Sequence, residues 1–255
     1  MNVIALQYDL AWEDREANFD TVRRLLTKSG VAPGSLIVLP EMFSTGFSMD
    51  VAVVAENKKS GTEKFLASIA WQHQSHVVGG IVSKDPSSGK GRNELAVYDP
   101  SGRPVALYQK NYTFSYTNES DHYQAGDSLA MFKWRDFTVC PLICYDLRFP
   151  ELFRSAVRLG ADLFTVSANW PDARLRHWKT LLDARAIENL AFVVGVNRTG
   201  SDPNYRFPGC SRIVDHHGQL LAEAGDSEAI LSCELDYPDL IAWRREFPAL
   251  EDMKE

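Results

Sequence analysis

The chain has 255 residues, of which 45% are hydrophobic and 24% charged, and these values suit one compact domain over residues 1–255. The formal net charge is −7, and the lysines and arginines are dispersed, which argues against nucleic acid or an anionic membrane as the main partner. No apolar run approaches the roughly 18 residues of a membrane span, and the N-terminus lacks a basic stretch followed by a long apolar one. We therefore expect a cytoplasmic protein.

The first half of the chain alternates short apolar runs with helical patterns. An apolar stripe at helical spacing predicts a helix over Glu16–Lys28, and Gly30 follows its end. The turn sequence at residues 99–102 joins two strand patterns into a hairpin. The other elements predicted here are strands Val3–Gln7, Ser35–Leu39 and Val77–Ser83, helix Glu63–Gln74, and the hairpin strands Asn93–Tyr98 and Val105–Gln109.

The second half continues the alternation and ends in further strand patterns. A helix is predicted from Pro150 through about Leu159, because proline is favoured at a first helical position. The other predicted elements are helix Arg174–Asn189 and strands Phe137–Ile143, Leu163–Ser167, Phe192–Val196, Arg212–Asp215, Gln219–Ala224 and Ala229–Glu234. This alternation indicates an α/β protein with helices covering the faces of sheets. The added hairpins are compatible with two stacked sheets, although periodicity alone does not decide between one sheet and two.

Five of the predicted strands lead into residues that can ionise, donate hydrogen bonds or attack. In α/β sheets, ligands bind outside the carboxyl ends of strands, where side chains face open space. Such convergence would gather a carboxylate, an ammonium and a thiol in one pocket. In chain order the residues are Glu41, Lys110, Cys144 with Tyr145 and Asp146, Asn169 with Trp170, and Asn197 with Arg198.

Three of these residues have complementary chemistry. A free thiol is only a few per cent thiolate at neutral pH, so Cys144 needs a neighbouring base or cation to act as a nucleophile. Glu41 could take the thiol proton and later activate water, while Lys110 could stabilise the thiolate and an oxyanion. Cys144 also lies in a turn between a strand and a proline-started helix, where the backbone N–H of Tyr145 could complete an oxyanion hole.

The remaining cysteines and the paired histidines do not indicate a metal centre. Cys140 and Cys144 have C-x3-C spacing without a second pair, which fits no zinc template, and Cys140 falls inside a predicted strand. All four cysteines should stay reduced in the cytoplasm. We expect His216 and His217 to be exposed, because they stand at a turn marked by Gly218.

Two other interpretations of Cys144 stay open. A papain-like Cys–His enzyme would use His122 or His177 as its base. A non-catalytic redox sensor would need only an oxidisable Cys144, although a sensor has no use for the accompanying base. Cysteine-dependent phosphatase chemistry does not fit, because Arg148 lies four positions after Cys144 and no glycine-rich phosphate loop intervenes.

Three ordered motifs carry a family resemblance that covers essentially the whole chain. They are Leu39-Pro40-Glu41-Met42-Phe43, Tyr108-Gln109-Lys110 and Cys144-Tyr145-Asp146-Leu147-Arg148-Phe149-Pro150-Glu151. In this order they resemble the nitrilase, or carbon–nitrogen hydrolase, superfamily. The resemblance implies a four-layer α-β-β-α sandwich, attack by cysteine on a non-peptide C–N bond through a thioester, no metal or organic cofactor, and a homodimer. It makes Glu41 the general base, Lys110 the oxyanion stabiliser and Cys144 the nucleophile.

Many members of this superfamily carry a second glutamate between the lysine and the cysteine, which orients the lysine. Glu119, within Tyr116-Thr117-Asn118-Glu119-Ser120, is the candidate here. Because this segment is polar, the alternative is that Glu119 is a solvated surface carboxylate.

Two segments are most similar to bacterial omega-amidases: Glu41-Met42-Phe43-Ser44-Thr45-Gly46-Phe47 and Ala168-Asn169-Trp170-Pro171. This similarity implies hydrolysis of 2-oxoglutaramate or 2-oxosuccinamate by water to a 2-oxoacid and ammonia. The alternative substrates are deaminated glutathione, an N-carbamoyl compound or a simple aliphatic amide.

An omega-amide substrate also predicts binding residues. A short dicarboxylate monoamide needs a cation at its far end, preferably a guanidinium. Arg148 is the candidate, unless it pairs internally with Asp146 or Glu151. The other candidate substrate-binding residues are Phe43, Phe114, Tyr145, Asn169 and Trp170.

Overall fold

The structure is a computed structural model that describes residues 1–56 and 61–254. Its strands are β1 (Asn2–Gln7), β2 (Leu36–Val38), β3 (His76–Lys84), β4 (Gly91–Tyr98), β5 (Pro104–Gln109), β6 (Phe132–Trp134), β7 (Phe137–Ile143), β8 (Leu163–Ala168), β9 (Phe192–Asn197), β10 (Thr199–Ser201), β11 (Arg206–Pro208), β12 (Arg212–Val214), β13 (Leu220–Glu223) and β14 (Ala229–Glu234). Its α-helices are α1 (Arg15–Ser29), α2 (Val51–Val54), α3 (Gly61–Gln72), α4 (Glu119–His122), α5 (Pro150–Arg158), α6 (Leu175–Asn189) and α7 (Tyr237–Glu246). Short 3₁₀ turns cover Ser115–Thr117, Cys144–Arg148 and Asp172–Arg174.

Two six-stranded sheets form the body of the protein, with strand orders β14-β1-β2-β3-β4-β5 and β13-β12-β9-β8-β7-β6. In each sheet three neighbouring strands are parallel, β1 to β3 in one and β7 to β9 in the other, and antiparallel strands flank them. Strand β5 is antiparallel to β4 and therefore runs in the same direction as β3. The ends of β2 and β5 consequently lie at the same edge of their sheet.

Alternate residues of β1 show how the layers stack. Ile4 and Leu6 pack in a cluster with helices α1 and α3, whereas Val3 and Ala5 pack in a cluster with the second sheet. Helix α6 covers the outer face of the second sheet, where a Cβ on Gly195 would lie within 3.0 Å of atoms of that helix. The predicted α-β-β-α sandwich is therefore confirmed. Because the two sheets share a core, we infer that they fold as one domain.

The predicted helices and strands are present, with end points that differ by two residues or fewer. The elements that the sequence did not predict are the short ones, α2, α4, β6, β10 and β11, and the C-terminal helix α7. Elements of three or four residues are too short to show a periodicity. Within the described part of the chain, no helix combines the length and apolar character required to cross a membrane.

Candidate active site

A cavity beyond the strand ends brings most of the predicted site residues together. Its volume is about 430 Å³, including space open to solvent, and Glu41, Lys110 and Cys144 all line it. The other predicted residues on its wall are Phe114, Tyr145, Arg148, Asn169 and Trp170. Glu119 lies behind Lys110 rather than on the wall, and Phe43 lies elsewhere.

Cys144 is the first residue after β7, at the point where the chain turns sharply. Its φ is +45°, a left-handed conformation that is costly for a non-glycine residue and often marks a functional site. Its Sγ lies 3.8 Å from the carbonyl oxygen of Asn169. The following 3₁₀ turn leads into α5, which begins at Pro150. Strand, turn and helix therefore present the thiol at the cavity wall.

The buried carboxylate of Asp146 fixes this turn. It accepts hydrogen bonds from the backbone N–H of Ile143 at 3.0 Å, the phenol of Tyr108 at 2.8 Å and the backbone N–H of Tyr112 at 3.0 Å. Burial raises the pKa of Asp146 to about 7, although the charge of Lys110 and these hydrogen bonds oppose the rise. Because Tyr112 follows Lys110 by two residues, Asp146 joins the nucleophile turn to the lysine segment.

The raised pKa of Asp146 gives a prediction for Asp146→Asn. Because the pKa of Asp146 rises from near 4 in the unfolded chain to about 7 in the folded protein, folding takes up a proton at pH values between the two. The stability that this proton uptake contributes is complete at low pH and is lost as the pH rises through 7. The wild-type advantage in unfolding free energy over Asp146→Asn should therefore fall by about 2 kcal/mol between pH ~5 and pH ~7. Urea unfolding of both proteins measures it, and parallel pH curves would contradict it.

Glu41 follows β2 and is completely buried, with hydrogen-bond donors on both carboxylate oxygens. Oε1 accepts from the Lys110 ammonium at 3.0 Å and from Asn93 Nδ2 at 2.7 Å. Oε2 accepts from the backbone N–H of Asn169 at 2.9 Å and from its Nδ2 at 3.2 Å. Burial alone would raise the pKa of Glu41, but the Lys110 charge and these hydrogen bonds outweigh it and lower the pKa. Glu41 is therefore an ionised carboxylate in the resting protein.

Gly80 allows the backbone that carries Glu41 to pack closely on strand β3. A Cβ at this position would lie 2.3 Å from the backbone nitrogen of Met42. Gly80→Ala should therefore lower the unfolding free energy by about 1–3 kcal/mol. It should also lower kcat by about 10²-fold, because Glu41 is displaced.

Gly225→Ala is the matched control, since nothing lies within 4 Å of a Cβ there. Unfolding and amide hydrolysis assays of the two variants measure both effects. Equal behaviour of Gly80→Ala and Gly225→Ala would refute the packing argument.

Lys110 lies between two buried carboxylates. Its Nζ is 3.0 Å from Glu41 Oε1 and 3.0 Å from both oxygens of Glu119. Burial would lower the pKa of Lys110, but the charges of Glu119 and Glu41 raise it far above its usual value. Glu119 is itself completely buried and accepts a hydrogen bond from the Phe114 backbone, so the surface-carboxylate alternative is wrong. Lys110 is therefore a fixed ammonium ion at every pH in ordinary use.

The protonation of Cys144 follows from this arrangement. Burial raises the pKa of its thiol well above the usual value, and the negative charge of Glu41 raises it further, whereas Lys110 opposes the rise. The resting protein consequently holds a neutral thiol beside an ionised carboxylate. Such a thiol becomes a strong nucleophile only when its proton is removed during attack.

Several residues of the site were missed by the sequence analysis. Asn93, on β4, donates through Nδ2 to Glu41 at 2.7 Å and to Glu119 at 3.3 Å. A polar Asn in a predicted strand was the available signal, but its inward orientation depends on strand pairing. The cavity-lining residues that were not predicted are Phe47, Thr117, Pro171, Arg174, Tyr205 and Phe207.

The aromatic walls of the cavity differ from the prediction at one position. Phe43 is completely buried, with its ring centre 6.1 Å from that of Phe19 and 6.0 Å from that of Phe65, and belongs to the core under helices α1 and α3. The prediction of Phe43 as a substrate-binding residue is therefore wrong. Phe47, four residues later, lines the cavity instead.

The last predicted strand end lies outside the cavity wall. Asn197 Oδ1 accepts from the backbone N–H of Trp170 at 2.7 Å, and this holds the segment that carries Asn169 and Trp170. Arg198 turns to the opposite side and pairs with Asp9 at 2.6 Å. Both residues therefore support the structure around the site rather than forming its wall.

The structure does not favour a histidine base. His122 is exposed on α4, and neither it nor His177 lines the cavity. His177 instead lies with Nδ1 3.1 Å from the guanidinium of Arg148. The internal pairing considered for Arg148 is also not found, because within residues 1–56 and 61–254 it forms no ion pair with a carboxylate.

The His216-His217 turn contradicts the expectation of exposure at one residue. His216 is only 1% exposed, because Phe192 packs on its ring at 5.1 Å and Asp239 of α7 approaches its Nε2 at 3.4 Å. His217 is exposed as predicted. One ring nitrogen of His216, one of His217 and one carboxylate oxygen of Asp239 lie within 4.8 Å of one another, and none of these residues lines the cavity.

Comparisons with known proteins identify relatives that match nearly the whole chain. Omega-amidase YafV of Yersinia enterocolitica is 38% identical over 255 residues, which cover 99% of this chain and 96% of that one. The 2-oxoglutaramate amidase of Bacillus subtilis is 33% identical over 99% of this chain and 97% of its own length.

Solved structures and a family comparison extend this similarity. A CN-hydrolase superfamily protein of Xanthomonas campestris, crystallised with an arsenic adduct in its active site, has a TM-score of 0.93 and 33% identity over all of this chain and 97% of that one. Residues 3–245 match the carbon–nitrogen hydrolase family. The chain therefore belongs to the carbon–nitrogen hydrolase family, within the nitrilase superfamily.

Proposed function

We propose that the protein hydrolyses a small omega-amide to a carboxylate and ammonia through a thioester on Cys144. The observation that carries this proposal is the meeting of a neutral thiol, an ionised carboxylate and a fixed ammonium in one buried cavity. They come from separate stretches of the chain, and the burial of several ionisable groups at one cavity is costly and typical of an active site.

The first half of the reaction acylates the enzyme. Glu41 removes the proton from Cys144 Sγ as sulfur attacks the amide carbon, and the C=O electron pair moves to oxygen. Lys110 and the backbone N–H of Tyr145 stabilise this oxyanion. The C=O bond then re-forms as the C–N bond breaks, and the nitrogen takes the proton from Glu41 and leaves as ammonia. A thioester on Cys144 remains, and Glu41 is again ionised.

The second half regenerates the thiol. Glu41 removes a proton from water as the water oxygen attacks the thioester carbon. The tetrahedral intermediate collapses with cleavage of the C–S bond, and the sulfur recovers its proton from Glu41. The carboxylic acid product ionises and leaves. One base thus serves both halves, which is why a single carboxylate on the cavity wall is sufficient.

The acyl group we propose is that of a 2-oxoacid, as in 2-oxoglutaramate or 2-oxosuccinamate. The omega-amidase and 2-oxoglutaramate amidase relatives support it, because they align over nearly the whole chain. Ammonia release from a panel of amides tests it: kcat/KM should be highest for the two oxo-amides. A higher value for deaminated glutathione, an N-carbamoyl compound or a simple aliphatic amide would assign another substrate, and no release from any amide would leave the redox-sensor interpretation.

We also propose that the protein is a homodimer. Ile187 on α6 is 52% exposed and Leu159 at the end of α5 is 64% exposed, although both are large and apolar. They belong to the outer helical layer of the second sheet, where a second copy of the chain would cover them. Light scattering at micromolar concentration should give the mass of two chains, and the mass of one chain would refute the proposal.

A cytoplasmic location is our proposal for the compartment. Cys140, Cys144, Cys210 and Cys233 are all free thiols, which suits a reducing environment. Fractionation of cells that express the full chain tests this location.

A further inference from the structure

Arg148 is a cation on the cavity wall that the proposed reaction does not use. It stands at the end of the nucleophile turn, with its guanidinium carbon 4.9 Å from the ring centre of Trp170 and 5.8 Å from that of Tyr145. Its Nη2 lies 3.1 Å from His177 Nδ1, which must accept because a guanidinium can only donate. These contacts hold the side chain in place without neutralising its charge.

Arg174 is a second cation on the same wall, and it comes from a different part of the chain. It ends the 3₁₀ turn before α6, and its guanidinium carbon lies 5.1 Å from the ring centre of Phe114 and 5.2 Å from that of Tyr116. Each guanidinium therefore contacts two aromatic rings, and both arginines line the same cavity.

The two charges have no carboxylate to balance them. Within the described ranges 1–56 and 61–254, no ion pair joins either guanidinium to an acidic side chain. Burial lowers the pKa of Arg148, and the positive charge of Arg174 lowers it further, although neighbouring groups such as Tyr145 act in the opposite sense. The two cations thus repel each other across a cavity where an anion between them would replace repulsion with attraction.

We propose that Arg148 and Arg174 together bind a carboxylate at the end of the substrate opposite the scissile amide. A guanidinium fork matches the two oxygens of a carboxylate, and two such forks make the site selective for an anion. A neutral amide of the same length is rejected because it leaves two partly desolvated cations without a partner. This inference rests on the proposed amide hydrolysis and adds to it the residues that select an anionic acyl group.

The test compares succinamate, which carries a carboxylate, with butyramide, which has a methyl group at the same position. Arg148→Gln and Arg174→Gln should each lower kcat/KM for succinamate by about 10- to 100-fold, chiefly through KM, since each loses a charged hydrogen-bond donor. The ratio of kcat/KM for succinamate to kcat/KM for butyramide should therefore fall by about 10-fold or more in both variants, because a purely apolar tail gains nothing from the cations. Arg176→Gln is the matched control. Arg176 lies on α6, the helix that follows Arg174, but it is exposed and does not line the cavity.

The outcomes separate this inference from the proposed function. An equal fall for both substrates, or no fall for either, would overturn the carboxylate site, since the arginines would then be structural or idle. Wild-type hydrolysis of butyramide without a preference for succinamate would also overturn it, yet leave amide hydrolysis intact. Failure of the wild-type protein to release ammonia from any amide would instead refute the proposed function itself.

Discussion

Replacing Cys144 with alanine should abolish ammonia release, with a fall in kcat of at least about 10⁴-fold. The reason is that the sulfur of the thioester comes from Cys144, and the proposed mechanism has no other nucleophile that Glu41 could activate against the amide. The variant should fold, because alanine is smaller than cysteine and the strained backbone at φ +45° is held by the hydrogen bonds of Asp146. Steady-state ammonia assays and thermal unfolding measure the two expectations.

Cys140→Ala is the matched control for this experiment. Cys140 lies on β7, the strand that ends one residue before Cys144, but its side chain is completely buried and does not line the cavity. This variant should retain turnover. Full activity in Cys144→Ala, or equal loss in the two variants, would remove Cys144 from the role of nucleophile.

Replacing Glu41 with glutamine should lower kcat/KM by about 10³-fold, because glutamine keeps the size of the side chain but cannot take a proton. Its amide N–H₂ also faces donors from Asn169, so the unfolding free energy should fall by about 1–3 kcal/mol. Rapid-mixing measurements of the first ammonia released should show that acylation, rather than only the later hydrolysis, has become slow.

Glu119→Gln separates the loss of a base from the loss of a charge. Both substitutions remove one negative charge at 3.0 Å from the Lys110 ammonium, but only Glu41 lines the cavity. Glu119→Gln should therefore retain more activity than Glu41→Gln. Equal losses would mean that the charge around Lys110 controls the rate and that the assignment of Glu41 as base is wrong.

The sequence predicted those site residues that follow directly on apolar runs. Glu41, Lys110 and Cys144 each follow the end of a strand. Strands β2 and β5 end at the same edge of the first sheet, β7 belongs to the second sheet, and the stacking of the two sheets brings the three residues to one cavity. The alternation of strands and helices predicted an α/β protein with helices covering the sheets, because most of these elements are long enough to show their period. It did not decide between one sheet and two, and the four-layer sandwich was implied by the family resemblance of the motifs.

The residues that were missed depend on contacts between distant elements. Asn93 reaches Glu41 only because β4 pairs with β3 in one register, which a single sequence does not specify. Phe207 reaches the cavity on a hairpin of three-residue strands. His216 is buried because α7, an element that was not predicted, covers its turn.

Phe43 shows the converse error. It lies in the motif that contains Glu41, and proximity in sequence suggested proximity to the substrate. The backbone turns at Met42, which has a φ of +45°, and Phe43 then points into the core. Nothing in the local sequence distinguishes Phe43 from Phe47 as the residue on the cavity wall.

Partitioning of the acyl group between water and hydroxylamine tests the covalent mechanism most directly. An omega-amide and the ester of the same acyl group should give one common ratio of hydroxamate to acid, since both pass through the same thioester on Cys144. A ratio that differs between amide and ester, or acid as the sole product from either, would show that water attacks the substrate directly and would contradict the account.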